Sequence, residues 1–309
     1  MNSASGRQHH ISFNSSKGLL KATIAEVGAS LREFRLGEID LVVGYEIDEP
    51  APLCAGIVMS PWPNRIDGGK WVYQGKTLEV DITIHSQQNA NHGFLGRYPF
   101  HLVRETSSSV TLGATIWPRE GYPFLVELEV TYSLDENGLT VAHEAVNKST
   151  VAAPYAIGGH AYFQFSAVPT KDLILKTEAG TFVKCDERQI PTDWVPTPTD
   201  SYNLAEGVKV GDHFFDDDFC DLARDAQGRA HTYLTAADGR GLDVWQDEKF
   251  THVVLFTPSF FPTKNGPVYA AAVEPQTAAP NAFNNGDGLA WIEPGQKFAA
   301  SWGVSLVGI

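Results

Sequence analysis

The sequence predicts an all-β fold, a large antiparallel β-sandwich, and three observations carry that expectation. Apolar residues alternate with polar ones instead of recurring every three to four positions. Turn residues break the pattern at short intervals. The 28 Gly and 18 Pro, against only 2 Met, suit a turn-rich architecture better than a helical one. A stack of two sheets buries alternate faces of each strand, so many short alternating strands imply a large sandwich.

Taken along the chain, the polar start MNSASGRQHH leads the first fifteen or so residues to be expected loose. SLREFRL then IDLVVGY around Gly37, and KWVY then KTLEV around Gly75, read as hairpins. In FLVELEVTYSL, Val126, Leu128, Val130, Tyr132 and Leu134 share one face; after the turn DENG, Leu139, Val141, His143 and Ala145 line a return strand. HTYLTA and GLDVWQ around Gly239 and Gly241 repeat the pattern. The Pro- and Asp-rich stretch from Pro191 to Asp200 reads as one long surface loop. With no low-complexity linker and no 20–50-residue period, residues 1–309 are expected to form one domain.

Charge narrows the function. Lys and Arg total 23 against 37 Asp and Glu, so 23 − 37 = −14. A phosphate backbone needs a cationic stripe, and only scattered residues such as Arg97 and Arg104 are offered, so nucleic acid is not an expected partner. No run of about 18 apolar residues exists to cross a membrane as a helix. Cys54, Cys185 and Cys220 are odd in number and widely spaced, which fits a reducing, cytoplasmic setting better than a disulfide framework. A secreted protein without its leader is the alternative, and the sequons at Asn14 and Asn147 are too common by chance to raise it.

Five polar clusters fall where alternation stops. In SPWPNRI two prolines forbid a central strand, and Arg65, after Asn64, reads equally as a surface charge or as a planar fork for ligand hydroxyls or a carboxylate. In NANHGFLG, His92 sits in irregular backbone beside Gly93 and reads as a solvent-facing turn or a site residue. In PYAIGGHAYFQF, Gly158 and Gly159 permit close backbone approach before His160, which reads as a core histidine or a functional one. FFDDDFCDL crowds Asp216, Asp217 and Asp218 without the spacing of a calcium loop. In AAAVEPQTAAPNAFN, Glu274 ends an apolar strand, where a carboxylate is rarely found without a purpose. Gly69 to Thr77 has one residue too many for a phosphate loop, and none of the 10 histidines forms HxH or HExxH. No metal and no cofactor are expected.

Together and in this order, PNRI, NHGFLG, GGHAYF, DDDF and VEPQTAAPNAFN resemble the aldose 1-epimerase (galactose mutarotase) family, over roughly Gly28 to Trp302. The resemblance implies a single galactose-mutarotase-type β-sandwich with a sugar cleft on one concave sheet. It implies Glu274 as general base, His160 as general acid, and His92, Arg65, Asn64 and Asp216 as sugar-binding residues, with the register among Asp216, Asp217 and Asp218 open. Gly159 stands where members often have Asn, and Asn281 where an aspartate is usual. SPWPNRI is closer to bacterial sugar epimerases, some acting on sulfonated or otherwise modified hexoses, so the sugar stays open. The implied reaction interconverts α and β anomers of a hexose, by a monomer or homodimer, with an ionised glutamate and a histidine lifted by neighbouring carboxylates; a desolvated cleft would oppose that lift. A sugar-binding module that lost catalysis and a glycosidase using Glu274 with one of the three aspartates are the rival readings.

Overall fold

Alternation becomes two large stacked antiparallel sheets, flanked by one four-stranded and three two-stranded sheets, in the computed structural model, which describes residues 3–200 and 202–309. One sheet has nine strands. Its centre is the expected hairpin, Val126–Asp135 with Gly138–Asn147, followed by Lys297–Val307 and the second expected hairpin, Gly241–Gln246 with Ala230–Thr235. The other has eight, running from the edge strand Pro191–Pro196 through Ala179–Cys185, Asp216–Leu222, His252–Phe256 and Ala271–Gln276 to the short Gly158–Gly159 and Val58–Met59. Their facing side chains form one core: Val126, Leu128, Val130 and Tyr132 from the first sheet belong to the same buried cluster as Phe219, Val253, Leu255 and Val273 from the second. The only α-helix among the described residues is the single turn Ala282–Asn285.

Two expectations are corrected. Gln8–Ser15, inside the segment expected to be loose, pairs residue for residue with Gly18–Ala25, because Ile11 can bury itself in the common core. The start of the Pro191–Asp200 loop is a strand, Pro191–Pro196, paired with Ala179–Cys185. It is an edge strand with prolines at both ends, where a missing N–H costs no ladder bond.

Strand period two decides which residues reach the outer face of the eight-stranded sheet. Phe219, Val253, Leu255 and Val273 point into the core, so their neighbours Asp218, Val254 and Glu274, which lie opposite one another across three strands, point out. Asp216, His252 and Gln276 share that parity and that face.

Candidate active site

Glu274 and His160 meet on this outer face. Glu274 Oε1 is 3.3 Å from His160 Nε2, and Glu274 Oε2 accepts a 3.0 Å hydrogen bond from Gln276 Nε2. Only 2 % of Glu274 and 6 % of His160 remain exposed, so water supports a charge on neither. Burial, reinforced by the Asp216 charge, holds Glu274 well above the usual carboxylate range, against the pull of Gln276 and Arg65. Burial pushes His160 down to about 4. The shift runs opposite to the expected one: desolvation, helped by the nearby Arg65 charge, outweighs the backbone hydrogen bond that favours the charged ring. A buried acid pushed up and a buried base pushed down both favour their neutral forms.

His160 stands here because its backbone is pinned between loops: its N–H donates to the Ile57 carbonyl and its carbonyl accepts from Gly56 N–H. Gly158 and Gly159 do permit a close approach, but by protein. A Cβ on Gly159 would stand 2.9 Å from Trp302 Cζ2, and one on Gly158 2.7 Å from Met59 Cε. Trp302 thus occupies the space beside the position at which the resemblance expects an asparagine.

His92 packs edge-on against His160, with ring centroids 5.2 Å apart. The Asn64 backbone N–H donates to its Nδ1 (3.1 Å), so the neutral ring carries its proton on Nε2. Burial and the nearby His160 and Arg65 hold its pKa well below the ordinary value, which keeps it neutral. The left-handed backbone at His92 (φ 59°) continues into Gly93 (φ 68°), where a Cβ would lie 2.1 Å from the Ser60 carbonyl oxygen. Gly93→Ala is therefore expected to cost roughly 2–4 kcal/mol of stability, seen as a lower denaturant midpoint at unchanged m-value. A loss below 0.5 kcal/mol would show that this loop does not hold His92 rigidly.

Arg65 starts a short strand and donates from Nη1 to Asn64 Oδ1 (2.7 Å) and from Nε to Gln87 Oε1 (3.0 Å). It lies within the field of both Asp216 and Glu274. Asn64 spends its side-chain oxygen on Arg65 and its backbone on His92, so it joins the two. Asn281 accepts from Asp67 N–H and Asn284 Nδ2 while donating its own N–H to the Arg65 carbonyl, which ties the Arg65 strand to the helical turn.

Parity separates the three aspartates that sequence left unordered. Asp217 lies opposite Leu255, on the core-facing side, and burial pushes it up to about 6. Asp218 shares the face of Glu274 but is engaged: its Oδ2 is 2.9 Å from His252 Nδ1. Of the three, Asp216 alone shares the face of the pair without a strong side-chain partner among the described residues, receiving a 3.4 Å contact from Gln189 Nε2.

Sequence reasoning missed Gln276 and the network behind Asp218. Gln276 was within reach, since it follows Glu274 by two along an alternating strand. His252 was not; its partners lie 34 residues upstream and 35 downstream, where Asp287 Oδ2 is 3.5 Å from its Nε2 and accepts from Trp194 Nε1. Burial opposes a charge on His252, but the Asp218 and Asp287 carboxylates outweigh it and push it up to about 10. A base raised on folding adds stability that is complete below about pH 6.5 and lost as pH climbs through about 10. His252→Gln is expected to destabilise by about 3–5 kcal/mol near neutrality, because a buried carboxylate loses its counter-charge. The gap to wild type should narrow between pH 6.5 and 10 in urea titrations, and a gap that stays constant would mean His252 is not charged.

Comparisons with known proteins identify the family and the fold. The family model described as aldose 1-epimerase matches residues 10–305. An uncharacterized Escherichia coli K12 protein, YihR, is 31% identical over 282 residues, spanning 89% of this chain and 86% of that protein. Human galactose mutarotase is 31% identical over 234 residues, 69% of this chain and 66% of that protein. Among solved structures, a GalM/aldose epimerase homologue from C. elegans superposes with a TM-score of 0.84 at 21% identity, over 97% of this chain and 99% of the other. A galactose mutarotase-like protein from Clostridium acetobutylicum superposes with a TM-score of 0.83 at 19% identity, over 96% and 94%. The structural likeness establishes the galactose-mutarotase-type sandwich, and the family match extends over nearly the whole sequence: the chain belongs to the aldose 1-epimerase family.

Proposed function

We propose that this protein is an aldose 1-epimerase that interconverts the α and β anomers of a hexose without cofactor or metal, working as one catalytic unit. The observation that carries the reading is the 3.3 Å contact between the buried Glu274 carboxyl and the buried His160 imidazole. Opening a hexopyranose removes a proton from the C1 hydroxyl and delivers one to the ring oxygen as the C1–O5 bond breaks. The open aldehyde then turns about C1–C2, and the reverse transfers close the ring. One group with a proton and one without supply both transfers, and each role is worth about 10²–10⁴ in rate. Which of the two begins with the proton depends on the bound sugar. The sequence resemblance names Glu274 as base; burial favours the proton on Glu274 before the sugar enters, and transfer across the 3.3 Å contact connects the two states. Arg65 and Asp216 supply donor and acceptor atoms for the sugar hydroxyls, and His92 offers its Nε2–H.

No helix among the described residues is long and apolar enough to cross a membrane. The cysteines Cys54, Cys185 and Cys220 are free, which supports a reducing, cytoplasmic setting.

The test is polarimetry on freshly dissolved α-anomers of plain hexoses and of hexoses with an anionic group. Accelerated decay of rotation is expected. Sugar binding without acceleration would identify a binding module, and release of free sugar from an aryl glycoside would identify a glycosidase.

A further inference from the structure

Arg65 sits on a ribbon too short to hold its own shape. The ribbon pairs Arg65–Asp67 with Asn89–Asn91 through three residue pairs, and its second strand runs straight on into His92. A two-stranded ribbon is marginal in water without outside support. Part of that support comes from far along the chain. Arg188 Nη2 stands 2.7 Å from Asp67 Oδ1 and donates to Asn89 Oδ1 (3.0 Å), and these two residues face each other at the end of the ribbon away from Arg65. Asn89 returns the bond, its Nδ2 donating to the Arg188 carbonyl (2.8 Å). One planar fork therefore clasps both strands, a geometry that the single ammonium of a lysine does not reproduce.

The same guanidinium reaches Arg65 by a second route. Its Nε donates to the Gln87 carbonyl (2.9 Å) and its Nη2 to the Gln88 carbonyl (3.3 Å), while the Gln87 side chain accepts from Arg65 Nε (3.0 Å). Next along the chain, Gln189 takes the left-handed conformation (φ 62°) and brings its Nε2 to 3.4 Å from Asp216 Oδ2. Arg188 thus joins the loop that orients Arg65 to the loop that touches Asp216, the donor and the acceptor assigned to the sugar hydroxyls. A half-exposed ion pair such as Arg188–Asp67 contributes little to folding, so the worth of the contacts lies in the geometry they fix. We propose that Arg188 is a positioning residue that aligns Arg65 with Asp216 for sugar binding. With Nε and Nη2 spent on protein oxygens, it acts through Arg65 and not on the sugar. This assignment rests on the reading of the protein as a hexose 1-epimerase.

The experiment measures kcat and KM for anomer exchange by NMR, with whichever of glucose, galactose, glucose 6-phosphate and glucuronate the wild type exchanges fastest. Arg188→Met is expected to raise KM about tenfold with kcat within about threefold, because a misplaced binding group weakens binding while Glu274 and His160 are held by other contacts. The denaturant midpoint should move little. In an Arg65→Met background the same change should lower kcat/KM by less than about threefold, since the group it aligns is gone. An unchanged KM, a fall in kcat at unchanged KM, which is the signature of lost folded enzyme, or the full tenfold loss in the Arg65→Met background overturns the assignment while leaving the epimerase reading intact. If Arg188→Met does not fold, Arg188→Lys decides: KM raised about threefold or more at unchanged kcat supports the assignment, and an unchanged KM overturns it. If no sugar is accelerated by the wild type, the epimerase reading fails, and calorimetry with glucose and galactose decides the role of Arg188. Affinity weakened about tenfold by Arg188→Met supports it, and unchanged affinity or absence of binding overturns it.

Discussion

Glu274→Gln is expected to lower kcat for mutarotation by about 10²–10⁴ while KM changes less than threefold. The amide matches the carboxyl in size and can still meet Gln276, so the shape of the site survives. What disappears is the ionisable carboxyl that stands 3.3 Å from His160 Nε2. The same substitution is expected to make the protein more stable at pH 8. A carboxyl whose pKa rises on folding binds more protons in the native than in the unfolded state above the ordinary carboxylate value, so stability falls with pH across that window. A neutral amide escapes this loss. Measuring kcat by NMR exchange and the denaturant midpoint at pH 5 and pH 8 tests both halves. Turnover within threefold of wild type would remove Glu274 from the mechanism, and a stability gain absent at pH 8 would mean the carboxyl is not forced up by burial.

That pairing of lost activity with gained stability describes how the site departs from the rules that make the rest of the chain readable. The hairpins at 126–147 and 230–246 could be drawn from sequence because apolar residues alternate along most of their length, most cleanly in Val126–Asp135, where buried and exposed positions alternate. Glu274 announced itself by breaking that rule inside an apolar strand. The order among Asp216, Asp217 and Asp218 was not legible, since parity has meaning only once Phe219 is known to face the core. His252 was hidden for a different reason: in HVVLF it looks like one more strand residue, and only strand order brings Asp218 beside it and Asp287 above. The expected upward shift of His160 failed on a quantity that sequence does not contain. Neighbouring carboxylates could be counted, but neither the depth of burial nor the Arg65 charge that lower the ring's pKa could.

The pH dependence of kcat/KM follows from that burial and should be a bell whose active form is the pair holding one proton. Toward acid, His160 takes a second proton only near its depressed pKa of about 4, so activity should persist down to roughly that pH before falling. Toward alkali, activity falls when the shared proton is lost, and burial together with the charge on Asp216 places that limb well above an ordinary carboxylate. His160→Asn is expected to lower kcat by about 10²–10⁴ and to abolish the acid limb from the residual rate, because the group that accepted the second proton is gone. The alkaline limb, carried by Glu274, should remain. A purely structural role for His160 would reduce the rate without moving either limb. Were the variant to keep both its rate and its acid limb, the neighbouring ring of His92, 5.2 Å from that of His160, would be the partner of Glu274 instead. His92→Asn would then have to show the lost limb.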